Sequence, residues 1–263
     1  MQSNNPVFNK SEGFNGRSYA GFGDAPVITG APMGVGHGRM TIDSVVQRTG
    51  ITLGVVIVAA LATWIVTPAT DSAESLQPLY LAAMIGSLGA FALSMVNSFK
   101  RVVSPALVLA FAALEGVALG ALSKTFDAIF GGGVVSGAVI GTFAAFAGTL
   151  AAYKFFNIQV GNKFRKIVIA CVFGMVGLSL MELVLGIFGN SIGLFGFGGL
   201  GLLTAIAGLV LGVFMLIMDF DMVENGVRNG LPERESWRAA FGMTVSLVWI
   251  YTNLLRILAI MRR

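Results

Sequence analysis

With 263 residues, 56% of them hydrophobic and only 11% charged, the chain lies far from a soluble domain, in which roughly a quarter of residues are charged. Its 17 Lys and Arg against 13 Asp and Glu give a net charge of +4. No contiguous basic patch interleaved with polar or aromatic readers accompanies that charge, so nucleic acid is not expected as a partner. The single His37 and the single Cys171 leave no material for a histidine triad, a His-ligated metal cluster or a disulfide within one chain.

Residues 1–39 are rich in Asn, Gly, Ser and Pro and poor in aliphatics, which predicts a disordered cytoplasmic tail. A secretory signal would place an apolar core within the first 15 to 30 residues. This chain has none there, so its first span is expected to remain. From Met40 the pattern changes. Thr41 can cap a short helix with Asp43 in its first turn and with Ile42, Val45 and Val46 along one side, an amphipathic lead-in reaching Gln47.

Seven apolar stretches follow, at Ile51 to Thr67, Leu79 to Ser98, Val103 to Leu122, Val134 to Tyr153, Ile167 to Phe188, Leu200 to Met218 and Ala239 to Ile260. Most reach the ~20 residues that a helix rising ~1.5 Å per residue needs to cross ~30 Å of hydrocarbon. The expected fold is therefore all-α and polytopic, with residues 40–263 forming a transmembrane domain of seven helices. Glycine pairs at four-residue spacing, Gly116/Gly120, Gly133/Gly137/Gly141 and Gly208/Gly212, read as helix-packing faces within the molecule. Cys171, in the fifth span, reads as core filler.

Thirteen of the 17 Lys and Arg flank alternate ends of the spans, before the first and in the second-to-third, fourth-to-fifth and sixth-to-seventh connections. Since cytoplasmic flanks carry the Lys/Arg excess, the N-terminus is expected inside and the C-terminus outside. No phosphate-binding Gly-Lys-Ser/Thr loop, zincin pattern or nucleophile elbow occurs, so an enzyme is not expected.

The chemistry must then lie in the ionisable residues at membrane depth, where a charge is costly and usually faces a partner or a water-filled cavity. Glu115 in the third span, Glu182 in the fifth and Arg256 in the seventh all count to roughly 21–27 Å from the inner flank. They are expected to form an outer polar cluster in which Arg256 pairs with Glu182, Glu115 or both, the alternative being that Glu182 and Arg256 snorkel to the outer interface. Asp219 ends the sixth span, with Asp221 and Glu224 just beyond, and an inner cluster with Lys100, Arg101 and Arg228 is expected. Burial and a neighbouring Lys100 or Arg101 would act on the Asp219 proton in opposite senses, as in a proton-operated latch.

The segments Ala113 to Gly120, Met218-Asp219-Phe220-Asp221 and Asn253-Leu254-Leu255-Arg256-Ile257-Leu258, with the lead-in Met40 to Val46, resemble the Bax inhibitor family, and more closely its bacterial YccA-like branch in an actinobacterial form. The resemblance covers about Met40 to the C-terminus. It implies seven helices with the last wrapped by the other six, and a pH-sensitive leak for cations, chiefly calcium. It also implies that the Asp219 position bonds to an aspartate on the seventh span and that Lys100 or Arg101 stands near a latching arginine. One register puts Ser246 where that second aspartate belongs and another puts Asn253 there, so the seventh span carries no carboxylate in either.

Two functions compete. One is a calcium leak channel of a bacterial inner membrane, with Asp219, Asp221, Ser246 and Asn253 along the switch and ion path and Lys100 or Arg101 as latch. The other is a non-conducting regulator that binds other membrane proteins or a membrane protease. Apart from the bilayer, a monomer without cofactor is expected, with calcium only as a permeating ion. Asp219, Asp221, Glu224 and Asn225 could supply oxygens to it, although their spacing matches no known calcium loop.

Overall fold

The computed structural model describes residues 38–68, 70 and 76–263. His37 and all but the last two residues of the expected tail lie outside the described residues. Among the described residues the secondary structure is helical apart from one isolated bridge between Arg39 and Pro232. The helices are α1 (Ile42–Val66), α2 (Gln77–Phe99), α3 (Pro105–Phe130), α4 (Val134–Phe155), α5 (Asn162–Ile187), α6 (Gly199–Arg228) and α7 (Glu235–Arg262). All seven are long and apolar enough to cross a membrane.

Helix α7 occupies the centre. It packs against α1, α3, α4 and α6, whereas α2 lies outside this ring on α3 and α5 lies outside it on α6. The expected wrapping by all six helices is thus reduced to four. Close approach explains the ring. Gly116 and Gly120 of α3 face the backbone of α1 at Val56 and Ala60, where an added Cβ would overlap the α1 carbonyl oxygens. Gly208 and Gly212 of α6 admit Asn253 and Ile250 of α7 in the same way, as expected of small residues between spanning helices.

Two boundaries and the burial of one residue differ from expectation. The lead-in is not a separate short helix but the first turns of α1. Thr41 and Ser44 form a reciprocal capping box at its start, and of the lead-in's apolar side only Val45 is buried while Ile42 and Val46 are exposed. Helix α6 continues ten residues past Met218 to Arg228, so Asp219, Asp221 and Glu224 are helical rather than in a loop. Cys171 is exposed, because α5 fully buries only Val168 and half-buries one stripe that includes Phe164 on Phe214, turning most of its apolar surface outward.

Lys124 of α3 closes the far end of α1. Its ammonium donates to Trp64 O at 2.8 Å, Thr67 O at 2.7 Å and Thr67 Oγ1 at 2.9 Å, meeting carbonyls that a helix C-terminus leaves unpaired. The N-terminal end of α1 is tied to the α6–α7 turn. Met40 N donates to Leu231 O and Glu233 N to Gly38 O, both at 2.7 Å, Ser44 and Ser236 share a hydroxyl bond of 2.7 Å, and Arg48 pairs with Glu233 at 2.5 Å.

Candidate functional site

The α6–α7 seam brings two of the expected switch residues together. Ser246 Oγ donates to Asp219 Oδ2 at 2.5 Å. Ser246 is buried and Asp219 partly buried. One turn earlier on α7, glycine at position 242 leaves room for the carboxylate, since a Cβ there would stand 3.1 Å from Asp219 Oδ1. No cation pairs with Asp219 among the described residues.

Asn253 does not join this pair. It lies two turns along α7, about 10 Å by helical rise, where its Nδ2 donates to Trp249 O at 2.8 Å and its amide packs on Gly208. Trp249 Nε1 donates to Gly208 O at 2.7 Å, sealing the seam between the two levels. Of the two registers of the resemblance, the geometry matches the one that sets Ser246 opposite Asp219.

The other acids of α6 turn away from Asp219, because helical positions two and five apart point in different directions. Asp221 is buried and receives Arg165 of α5 at 3.0 Å. Glu224 accepts from Tyr153 of α4 at 2.7 Å and pairs with Arg228 at 2.8 Å. Asp219, Asp221 and Glu224 therefore diverge, and no group of three or more His, Cys, Asp or Glu side chains able to hold a metal occurs among the described residues. The weak metal role expected of Asp219 finds no donor set around it.

The latch residues also sit elsewhere. Lys100 and Arg101 are exposed at the end of α2, and Arg101 offers only its backbone carbonyl, to Arg238 at 2.9 Å. Among the described residues, the basic side chain that reaches an α6 carboxylate from another helix is Arg165. Its sequence signal is slight, since Arg165 is one of four cations between the fourth and fifth apolar stretches. Tyr153 closed an apolar stretch and gave no polar signal at all.

At the far end, Arg256 reaches neither Glu182 nor Glu115. Its guanidinium donates to Leu194 O at 3.4 Å, Gly201 O at 3.2 Å and Thr204 Oγ1 at 3.3 Å, and lies 5.1 Å from the centre of the Phe195 ring. Glu182 instead accepts from Ser191 Oγ and Gly193 N, each at 2.7 Å, and from Ile192 N at 3.3 Å. Glu182 thus grips the α5–α6 loop at its N–H groups, while the guanidinium reaches the loop's Leu194 carbonyl and the first turns of α6 at Gly201 and Thr204. Glu115 is partly buried on the α3 face that carries Phe111, Ala112 and Leu119. It makes no ion pair among the described residues.

A family model described as Bax inhibitor 1 like matches residues 5–263. The chain is also similar to an uncharacterized protein of Chlamydia muridarum (strain MoPn / Nigg), 28% identical over 158 residues. That match covers 58% of this chain and 63% of the relative, so the two share a little under two thirds of the relative's length.

Proposed function

The chain belongs to the Bax inhibitor 1-like family, and from that premise we propose that it is a pH-sensitive cation leak, with calcium as the permeating ion, in a bacterial inner membrane with its N-terminus in the cytoplasm. The observation that carries the reading is the Asp219–Ser246 contact between α6 and α7. A carboxylate without a cationic partner changes the charge of a helix seam when it titrates. Ser246 can donate to the carboxylate and accept from the carboxylic acid, so the contact survives either state. Protonation then alters charge rather than packing, and the ionised form attracts a cation that the neutral form does not.

Arg165 on Asp221 takes the part that the resemblance gives to a latching arginine, closing α5 onto the end of α6 nearest Asp219. One observation favours a second reading, that of a non-conducting regulator. Helix α5 turns most of its surface outward, a face available to another membrane protein.

Calcium flux into proteoliposomes at pH 6 and pH 8 separates the readings, with Asp219→Asn beside the parent. A leak with Asp219 as switch gives the parent a pH-dependent flux and the Asn variant a flux equal at both values. Parent flux equal to that of empty vesicles at both values defeats the channel reading.

A further inference from the structure

An apolar groove of about 350 Å³ opens between α1 and α4, floored by α3 and α7. Its lips are Ile57 and Leu61 of α1 and Val139 and Phe143 of α4, with exposures of 46%, 56%, 40% and 53%. In a spanning helix those exposures face hydrocarbon. The volume lies within the range of built ligand sites, about 300–1,000 Å³.

The polar atoms of the floor are already satisfied within the protein. Ser123 Oγ donates to Leu119 O at 2.5 Å and shares a bond of 2.7 Å with Tyr251 OH. Thr142 Oγ1 donates to Ala138 O at 2.7 Å. Nothing there calls for a water or an ion, and the occupant is therefore an apolar chain.

The groove runs along α1 from Leu53 to Trp64, about 17 Å at ~1.5 Å per residue. That is roughly half of the ~30 Å hydrocarbon core, the depth of one leaflet. Its mouth end carries positive charge. Lys124 sits on the Trp64 and Thr67 carbonyls, and Arg262 donates to Gly132 O beside the start of α4. Neither cation forms an ion pair with a carboxylate among the described residues.

We infer that this groove seats one acyl chain of a phospholipid from the leaflet at the C-terminal end of α1, with the lipid phosphate between Lys124 and Arg262. The chain would lie on Leu247, Val248 and Tyr251, the α7 residues that follow Ser246. The site stands on the groove and its rim, independently of whether the protein conducts.

Photolabelling of the full chain in lipid nanodiscs tests this, using phosphatidylglycerol with a diazirine at one tail end and, in a separate arm, a free fatty acid with the same group. The phospholipid should label the lip residues Leu61 and Val139 severalfold more than Phe173, which is 72% exposed on α5. Leu61→Trp and Val139→Trp, made separately on opposite exposed lips, should each reduce that excess to the Phe173 level. Labelling of the parent no stronger than at Phe173 overturns the inference, as does an excess that survives in both tryptophan variants. Preferential labelling by the free fatty acid, or crosslinks joining two copies across the groove, assigns another occupant and overturns it as well.

Discussion

Asp219 of α6 and Ser246 of α7 are joined by a 2.5 Å hydrogen bond on a seam that also carries the Trp249 Nε1 bond to the Gly208 carbonyl and the packing of Gly208 against Asn253. Serine contributes a donor but no charge, so the seam holds one titratable group where a carboxylate pair would hold two. Removing the donor should leave the carboxylate short of a partner. Ser246→Ala is expected to lower stability by about 1–3 kcal/mol, the usual cost of an unsatisfied buried polar group, and Asp219→Asn in that background should lose less than the sum of the two single changes. Thermal unfolding in detergent measures both. Ser246→Asp places two like charges in one site, which favours sharing a single proton. Its calcium flux should depend more steeply on pH between 6 and 8 than the parent's.

Arg256 and Glu182 hold opposite polar groups of the same loop without touching each other. Arg256→Leu forfeits hydrogen bonds from a charged donor and should cost about 1.5–3 kcal/mol. Because no direct ion pair exists, adding Glu182→Leu should deepen the loss rather than recover part of it. A double variant more stable than Arg256→Leu alone would mean that the two side chains pair after all. Hydrogen exchange at Ile192 and Gly193 gives a local check, since both N–H groups should exchange faster in Glu182→Leu.

How far the sequence reveals the molecule depends on the kind of signal. The spans were legible because a run of apolar residues is itself the physical cause of membrane insertion. The packing glycines were legible because close helix approach requires a missing side chain, as at Gly120 against Ala60. The partners of the charges were not. Arg256 binds the carbonyls of Leu194 and Gly201, groups that every residue possesses and that no side-chain pattern marks. The length of α6 was underestimated because Asp219, Asp221 and Glu224 read as the end of an apolar run, whereas each finds a polar partner on a different neighbouring helix. Ser246 stood out only through the resemblance, at the place of an absent acid.

The Arg165–Asp221 pair joins a buried carboxylate to a guanidinium whose side chain is 47% exposed. Solvent screening on the arginine side keeps its worth small, while the carboxylate bears the cost of burial. Arg165→Leu should therefore destabilise by about 1 kcal/mol, at the low end for an unmet polar group. Arg165→Leu with Asp221→Leu should return toward the parent, since removing both partners leaves no orphan. If Asp221 is part of the latch, Arg165→Leu also raises calcium flux at the pH where the parent leaks least.

Lys124 offers the sharpest separation of local from global effects. Its three acceptors lie on Trp64 in the last turn of α1 and on the C-cap Thr67, and that helix end has no basic residue of its own. Lys124→Met keeps the length of the side chain and removes the ammonium, which leaves the Thr67 carbonyl unpaired and the Trp64 carbonyl with only the 3.3 Å bond from Thr67 Oγ1. The expected cost is about 1–3 kcal/mol. The loss should be confined in space, because Lys124 contacts α1 across the α1–α3 seam that Gly116 and Gly120 otherwise hold together. Amide exchange should quicken over Thr63 to Thr67 and stay unchanged in α5 and at the Asp219–Ser246 seam. Faster exchange throughout the bundle would mean that Lys124 supports the whole α1–α3 seam rather than one helix end.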